Sequence, residues 1–323
     1  MKRRSSYKNY RQRFQSRLQG YENYLKGRRY AHGTIRSYLN YTSDFLFYLS
    51  EKLLPELQVR YTDLLQYIDH CRKKGDTPRL VNRKLAAARK YFGYLQHKKR
   101  IRKNPAAGLH LREARAGIPT GMLTMEQLVQ LYDQYQVVDL RSARNKVIIG
   151  LLIYQGVTTD ELHRLEQVHL KLRSGKVWVP GSRHSASRTL ELKASQVIGL
   201  QEYVTKIRPE ILSSIKKKTS RPGRKAQKPD WDRLESQLFI SMNGSANLKP
   251  SLYHLVRDLK RINIKARSCR HIRQSVITHW LKIYDVRKVQ YMAGHKRISS
   301  TERYQVGNLE DLQEALKKYH PLG

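Results

Sequence analysis

The chain has 323 residues, 64 Lys+Arg against 26 Asp+Glu, a formal net charge of +38 and 39% hydrophobic residues. The length exceeds what one ordinary core needs, so two domains are expected, and the apolar content excludes a wholly disordered chain. So large a positive charge opposes compaction unless a polyanion neutralises it, which points to nucleic-acid phosphates, with binding driven by counterion release.

Residues 1–17 are basic and tyrosine-rich without a clear apolar face, and read as an arm. Residues 18–111 read as a helical bundle. Ile35, Tyr38, Leu39, Phe45, Leu46 and Leu49 recur at three- and four-residue steps, and a shorter amphipathic segment carries Leu64, Leu65, Tyr67 and Ile68. Thr77-Pro78 is a cap followed by a first-turn proline and opens a third helix. That helix turns Leu80, Leu85, Ala88, Phe92 and Leu95 inward and sets Arg79, Arg83, Lys84, Arg89 and Lys90 elsewhere, as candidate phosphate contacts. The 21 tyrosines against 5 phenylalanines suit half-wet surfaces and nucleic-acid contacts.

Asn104-Pro105 ends the bundle, and residues 112–122 read as a linker. A second domain is expected over 123–306. Thr124 with Gln127 has capping-box spacing, and Val147–Ile153 is a buried helical run. Lys176–Pro180 and Arg188–Leu192 read as two short strands around a polar turn, Gly181–Ser187. Helical patterning resumes at Ala194–Ile207. Lys216–Asp230 is too basic and polar to build a core and reads as a flexible loop, Leu238–Ser241 as a short extended piece, and the chain from about Leu252 as helical. The leucines of Leu309–Lys318 form one stripe, within a tail over 307–323. Cys71 and Cys269 lie in different expected domains and no Cys–His cluster has zinc spacing, so both read as reduced thiols. No apolar stretch reaches membrane-spanning length and the basic start is not followed by an apolar run, so a cytoplasmic protein is expected.

The densest chemistry lies near the C-terminus. Arg270-His271-Ile272-Arg273 is followed by Ala293-Gly294-His295, and Tyr304 stands nine positions beyond His295, with Ile-Ser-Ser-Thr between. This resembles the C-terminal signature of tyrosine recombinases (phage integrases), an His-x-x-Arg helix followed by a Gly-His turn and a nucleophilic tyrosine. Thr77–Leu95 with Asn104-Pro105 is similar to the end of that family's core-binding domain, and Leu151–Leu162 to the start of its active site. The resemblance implies a mainly α protein: a helical SAM-like core-binding domain, then a mixed, mostly helical catalytic domain with a small antiparallel sheet, clamping double-stranded DNA from opposite faces. It also implies a tetramer of this chain alone or with another recombinase, strand exchange through a Holliday junction, a mobile-element or host role, and no cofactor. The leucine stripe could dock on a neighbouring protomer.

The chemistry suits such residues. Guanidinium forks bind the nonbridging oxygens of a phosphodiester and its more charged transition state. A tyrosine hydroxyl attacks phosphorus to give a covalent protein–DNA link, and proton donors and acceptors serve the two oxygens. By resemblance Arg273 is the second arginine, His295 the downstream histidine and Tyr304 the nucleophile. Three positions depart from the pattern. Thr158 stands where the family has its first arginine, two residues after Gly156. Arg183, or Ser182, falls where the hairpin carries a lysine, with Lys176 a nearby off-register substitute. Arg270 replaces the first histidine. Two readings follow. In one, the site is rewired, with Arg270 replacing the missing clamp and Arg183 or Lys176 covering the hairpin role. In the other, the protein is a weak or inactive DNA-binding subunit that assembles beside an active recombinase.

Overall fold

The computed structural model describes residues 14–112, 121–219 and 229–305. Of the arm expected over 1–17, residues 1–13 lie outside them, as does the leucine stripe Leu309–Lys318, while Gln15–Arg17 open the first helix. The chain divides into two compact units, Met1–Gly117 and Ile118–Gly323.

In the first unit, helices α1 (Gln15–Gly27), α2 (His32–Glu51), α3 (Tyr61–Lys73) and α4 (Pro78–His97) form a bundle. Thr77 caps α4 as its sequence suggests, its side chain accepting from Leu80 N at 3.3 Å. The apolar stripe of α4 is Val81, Leu85, Ala88, Phe92 and Leu95. Leu80, expected inward, is only half-buried because Val81 takes the inner position of that turn. Fully buried Ala87 and Ala88 lack side-chain bulk where α4 packs.

Tyr21, Tyr48, Tyr67 and Tyr91 are each 3% exposed or less and build the core rather than a wet surface. Tyr21 meets Tyr91 edge-on at 5.3 Å and Phe45 meets Tyr67 at 4.9 Å, the T-shaped geometry that ring quadrupoles favour. The expectation that tyrosine abundance marks nucleic-acid contact is therefore corrected for these rings.

The second unit is mainly helical. Its helices are α5 (Met125–Asp133), α6 (Leu140–Tyr154), α7 (Thr159–Arg164), α8 (Ala194–Glu202), α9 (Arg208–Thr219), α10 (Trp231–Ser236), α11 (Lys249–Ile262), α12 (Cys269–Ile283) and α13 (Val286–Ala293), with residues 299–305 also helical. Thr124 and Gln127 exchange the two bonds of a capping box at the start of α5. Ile148, Ile149, Leu151, Leu152 and Ile153 make α6 the buried axis against which α5 and α12 pack. A one-turn π segment, Tyr203–Ile207, joins α8 to α9.

Strands β1 (Leu170–Lys171), β2 (Lys176–Val179) and β3 (Arg188–Glu191) form a small antiparallel sheet in that order. The fold class implied by the sequence is thus the observed one. Two local expectations change. Leu238–Ser241 is buried but forms no strand, the pairing there being a single bridge, Glu166 to Gln237. The basic segment from Lys216 begins as the last turn of α9, which runs to Thr219; residues 220–228 lie outside the described set. Cys71 and Cys269 are free and buried, and no described helix is long and apolar enough to cross a membrane.

Candidate active site

Three helix ends and one hairpin meet around Glu161. Helix α6 finishes at Tyr154, and Gly156 turns the chain with φ +55°; a Cβ there would press on Trp280 at 3.1 Å. Thr158 then caps α7. Its hydroxyl accepts from Glu161 N at 3.1 Å, and its own N–H donates to Glu161 Oε2 at 2.8 Å. The position where an arginine was expected is thus occupied by a cap that aims the Glu161 carboxylate inward.

That carboxylate is fully buried and accepts a two-point bond from Arg188, Nη1 to Oε1 at 2.7 Å and Nη2 to Oε2 at 3.2 Å. Arg273 Nη1 lies 3.8 Å from Glu161 Oε2 on its other side. Burial works against the charged carboxylate, but the hydrogen bonds and charge of Arg188, the Thr158 N–H and the charge of Arg273 outweigh it and hold the group down at about 2.

Arg273 projects from the second turn of α12, whose start is capped by Ser268 accepting from His271 N at 3.1 Å. Its Nη1 donates to Gly156 O and its Nη2 to Ala293 O, the latter at 2.5 Å. Arg188 Nε donates to Met292 O at 2.7 Å. Both guanidiniums therefore sit on carbonyls freed at the C-terminal end of α13, where the helix dipole favours positive charge. Burial pulls Arg273 down to about 10, with Arg188 adding to it and Glu161 and Tyr304 opposing it.

Gly294 ends α13 with φ +67°, and a Cβ there would overlap Arg188 Nη1 and crowd its guanidinium carbon at 3.0 Å. Only glycine suits both the backbone and the space. His295 follows at once. Its Nδ1 pairs with the buried Thr301 Oγ1 at 2.9 Å, and its ring lies nearly parallel to that of Tyr304, 9° apart with centroids separated by 6.3 Å. Burial, then the charges of Arg273 and Arg188, lower the His295 imidazole to about 4 against the pull of Glu161, so it is neutral at pH 7. In the tautomer that donates Nδ1–H to Thr301, Nε2 is a free proton acceptor.

Arg273, His295 and Tyr304 are thus brought together. Of the other positions singled out in the sequence, Arg270 is exposed one turn before Arg273 on α12, and no ion pair engages it among the described residues. Arg183 is exposed in the hairpin loop, whose end docks on the His295 segment: Ala186 N donates to Gly294 O at 2.9 Å and Ser185 bridges to His295. Ser182 is occupied in closing that loop, accepting at Oγ from His184 N and Ser185 N, each at 3.0 Å.

Lys176 is not brought to the site. It pairs with Glu191 at the end of β2 away from the loop, three residues before Val179, or roughly 10 Å along a strand. His271 turns to Gly121 O at 3.1 Å. In the first unit, Arg79, Arg83 and Lys90 are exposed on one stripe of α4. Lys84 is bonded to Asp76 at 2.5 Å, and Arg89 donates to Ala106 O at 3.0 Å and Leu109 O at 2.5 Å. The expectation of phosphate contact by Lys84 and Arg89 is corrected, because both cations are engaged inside their own unit.

Glu161, Arg188 and Thr301 are the organising residues that the sequence reading did not assign. The capping-box spacing of Thr158 with Glu161 was one available signal. The two-residue alternation that puts Arg188 on the same strand face as buried Leu190 was another.

Comparison with known proteins agrees with this geometry. Residues 18–99 match the N-terminal SAM-like domain of phage integrases, and residues 122–309 match the phage integrase family. A tyrosine recombinase XerC of Pelotomaculum thermopropionicum is 27% identical over 79% of this chain and 79% of its own length. A tyrosine recombinase XerD of Chlorobaculum tepidum is 25% identical over 95% of this chain and 96% of its own. The fold is shared with a XerH site-specific recombinase bound to its palindromic difH substrate after cleavage (TM-score 0.63, 18% identity, 87% of this chain and 78% of that one). It is also shared with a lambda integrase tetramer on a Holliday junction (TM-score 0.61, 12% identity, 90% and 76%). A family match over residues 122–309, joined to a buried arginine, a histidine and a tyrosine at one place, leaves one conclusion: this chain belongs to the phage integrase family of tyrosine recombinases.

Proposed function

We propose that the protein is a site-specific DNA recombinase that cleaves and rejoins double-stranded DNA through a 3′-phosphotyrosyl intermediate at Tyr304. The observation that carries this reading is the meeting of Tyr304, His295 and Arg273 in one unit. The Tyr304 oxygen attacks phosphorus and the bond to the 5′ oxygen breaks. The phenol gives up one proton, which neutral His295 is suited to accept, and the leaving oxygen gains one, so no proton is lost overall. The phosphotyrosyl bond conserves the energy for rejoining.

The missing arginine at 158 makes this an atypical site. Arg270 is free to reach a phosphate from one turn away, and Arg183 offers a second guanidinium from the hairpin loop. Since arginine almost never gives up its proton, Arg183 serves as a clamp rather than as an acid. Exposed Arg79, Arg83 and Lys90 hold the duplex backbone. Four protomers, of this chain or mixed with a second recombinase, act in the cytoplasm on a mobile element or the host chromosome.

The test is a library of nicked suicide duplexes with randomised arms, incubated with the protein and denatured. The expected result is a covalent adduct that is absent in Tyr304→Phe. A second reading, a DNA-binding accessory subunit, draws on the three departures at 158, 183 and 270. It is favoured if no adduct forms even when a complete recombinase is added.

A further inference from the structure

We propose that Arg188 is a positioning residue: it clamps the hairpin loop to the segment carrying His295 and so sets that imidazole as the proton acceptor for Tyr304. The proposal deepens the recombinase reading and rests on it for the role of Tyr304.

Every donor of Arg188 that forms a bond reaches a group next to a site residue. Its two terminal nitrogens hold the Glu161 carboxylate, which also faces Arg273. Its Nε holds Met292 O, one residue before the carbonyl that accepts from Arg273. Its fork fills the space beneath Gly294 that a side chain would need. Two residues before it, Ala186 N donates to Gly294 O, and Ser185 bridges to His295 itself. The other end of the loop is tied by Arg164, whose Nη1 donates to Pro180 O, at 3.2 Å, and to Gly181 O. The hairpin loop and the His295 segment are thus one braced object, with Arg188 as the brace.

Packing alone would not call for this residue. A buried charge is costly, and an apolar side chain of similar volume often serves stability as well or better. The charge has a second consequence. Behind burial, it joins Arg273 in lowering the His295 imidazole. A proton acceptor must be aimed at its donor, and the brace supplies that aim.

The test compares wild type, Arg188→Met and Arg188→Lys in the full chain, by NMR titration of the His295 ring and by adduct formation on the duplex recovered from the suicide library. In R188M the His295 midpoint is expected to rise by roughly 1 pH unit or more. Cleavage at pH 7 is expected to fall at least ~10-fold while DNA affinity stays within about threefold. R188K keeps the charge but not the three-way bond, so its midpoint stays low while cleavage recovers only in part.

If R188M does not fold, Arg188→Lys is titrated in its place, its His295 midpoint expected to stay low. Ala186→Pro, which deletes the bond to Gly294 without changing charge, carries the cleavage arm, with slower cleavage and an unchanged midpoint expected. Folded variants that leave both the His295 midpoint and the cleavage rate at wild-type values overturn the proposal. A midpoint that moves as expected in a protein whose wild type forms no adduct overturns the recombinase reading instead, and leaves the brace standing.

Discussion

Replacing Glu161 by Gln removes the one negative charge between two buried guanidiniums. The Glu161 and Arg188 side chains are 0% exposed and that of Arg273 is 10% exposed, so water cannot take over the lost interaction. Breaking a buried pair by removing one partner costs about 3–5 kcal/mol, because the other charge is left uncompensated. Gln keeps the shape and one acceptor oxygen for the Thr158 N–H or Arg188, which puts the expected loss near the lower end, about 3 kcal/mol. For a unit of this size that lowers the melting temperature by on the order of 10 °C.

The assay is thermal and urea unfolding of E161Q, R188M and the double variant. If the carboxylate bridges the guanidiniums, the double variant is less destabilised than the sum of the singles, with a coupling of roughly 2 kcal/mol. A loss under about 1 kcal/mol in E161Q, or additivity within about 0.5 kcal/mol, would refute the claim that this carboxylate holds the site together.

The remaining predictions concern charge. Replacing Arg79, Arg83 and Lys90 together by Gln should weaken binding to double-stranded DNA at all sequences and flatten its log–log salt dependence by roughly 1 per residue. Lys84→Gln should instead lower the melting temperature and leave the salt slope alone, since Lys84 is bonded to Asp76; salt-titrated fluorescence anisotropy separates the two. His295 has a folded pKa near 4, below its ordinary 6.5. Between those values the unfolded chain binds the proton and the folded chain does not, so stability falls as pH drops from 6.5 towards 4. Urea unfolding across that window should be flatter with pH in His295→Gln, and an unchanged slope would show that the imidazole is not held neutral.

Local chemistry was legible in the sequence alone. The caps at Thr77 and Thr124, the apolar stripe of α4 from Leu85 onward and the two strands flanking a polar turn are set by interactions a few residues apart, and they stand where the local pattern put them. The spacing of His295 to Tyr304 was equally readable, because a tight turn and one short helix join them. Which arginine is a clamp and which is a brace was not readable. Arg188, Arg89 and Arg270 look alike in the sequence; the structure gives Arg188 to Glu161 and Met292, Arg89 to Ala106 and Leu109, and leaves Arg270 exposed.

Tyrosine shows the same limit, since a phenol ring packs as well in the core at Tyr21 as it lies against an imidazole at Tyr304. The physical reason is range. Periodicity and capping are decided within one or two turns of chain. The partner of a charge or a ring is decided by segments brought together from far along the sequence, Glu161 with Arg188 and Gly156 with Arg273, and only the folded chain makes those meetings.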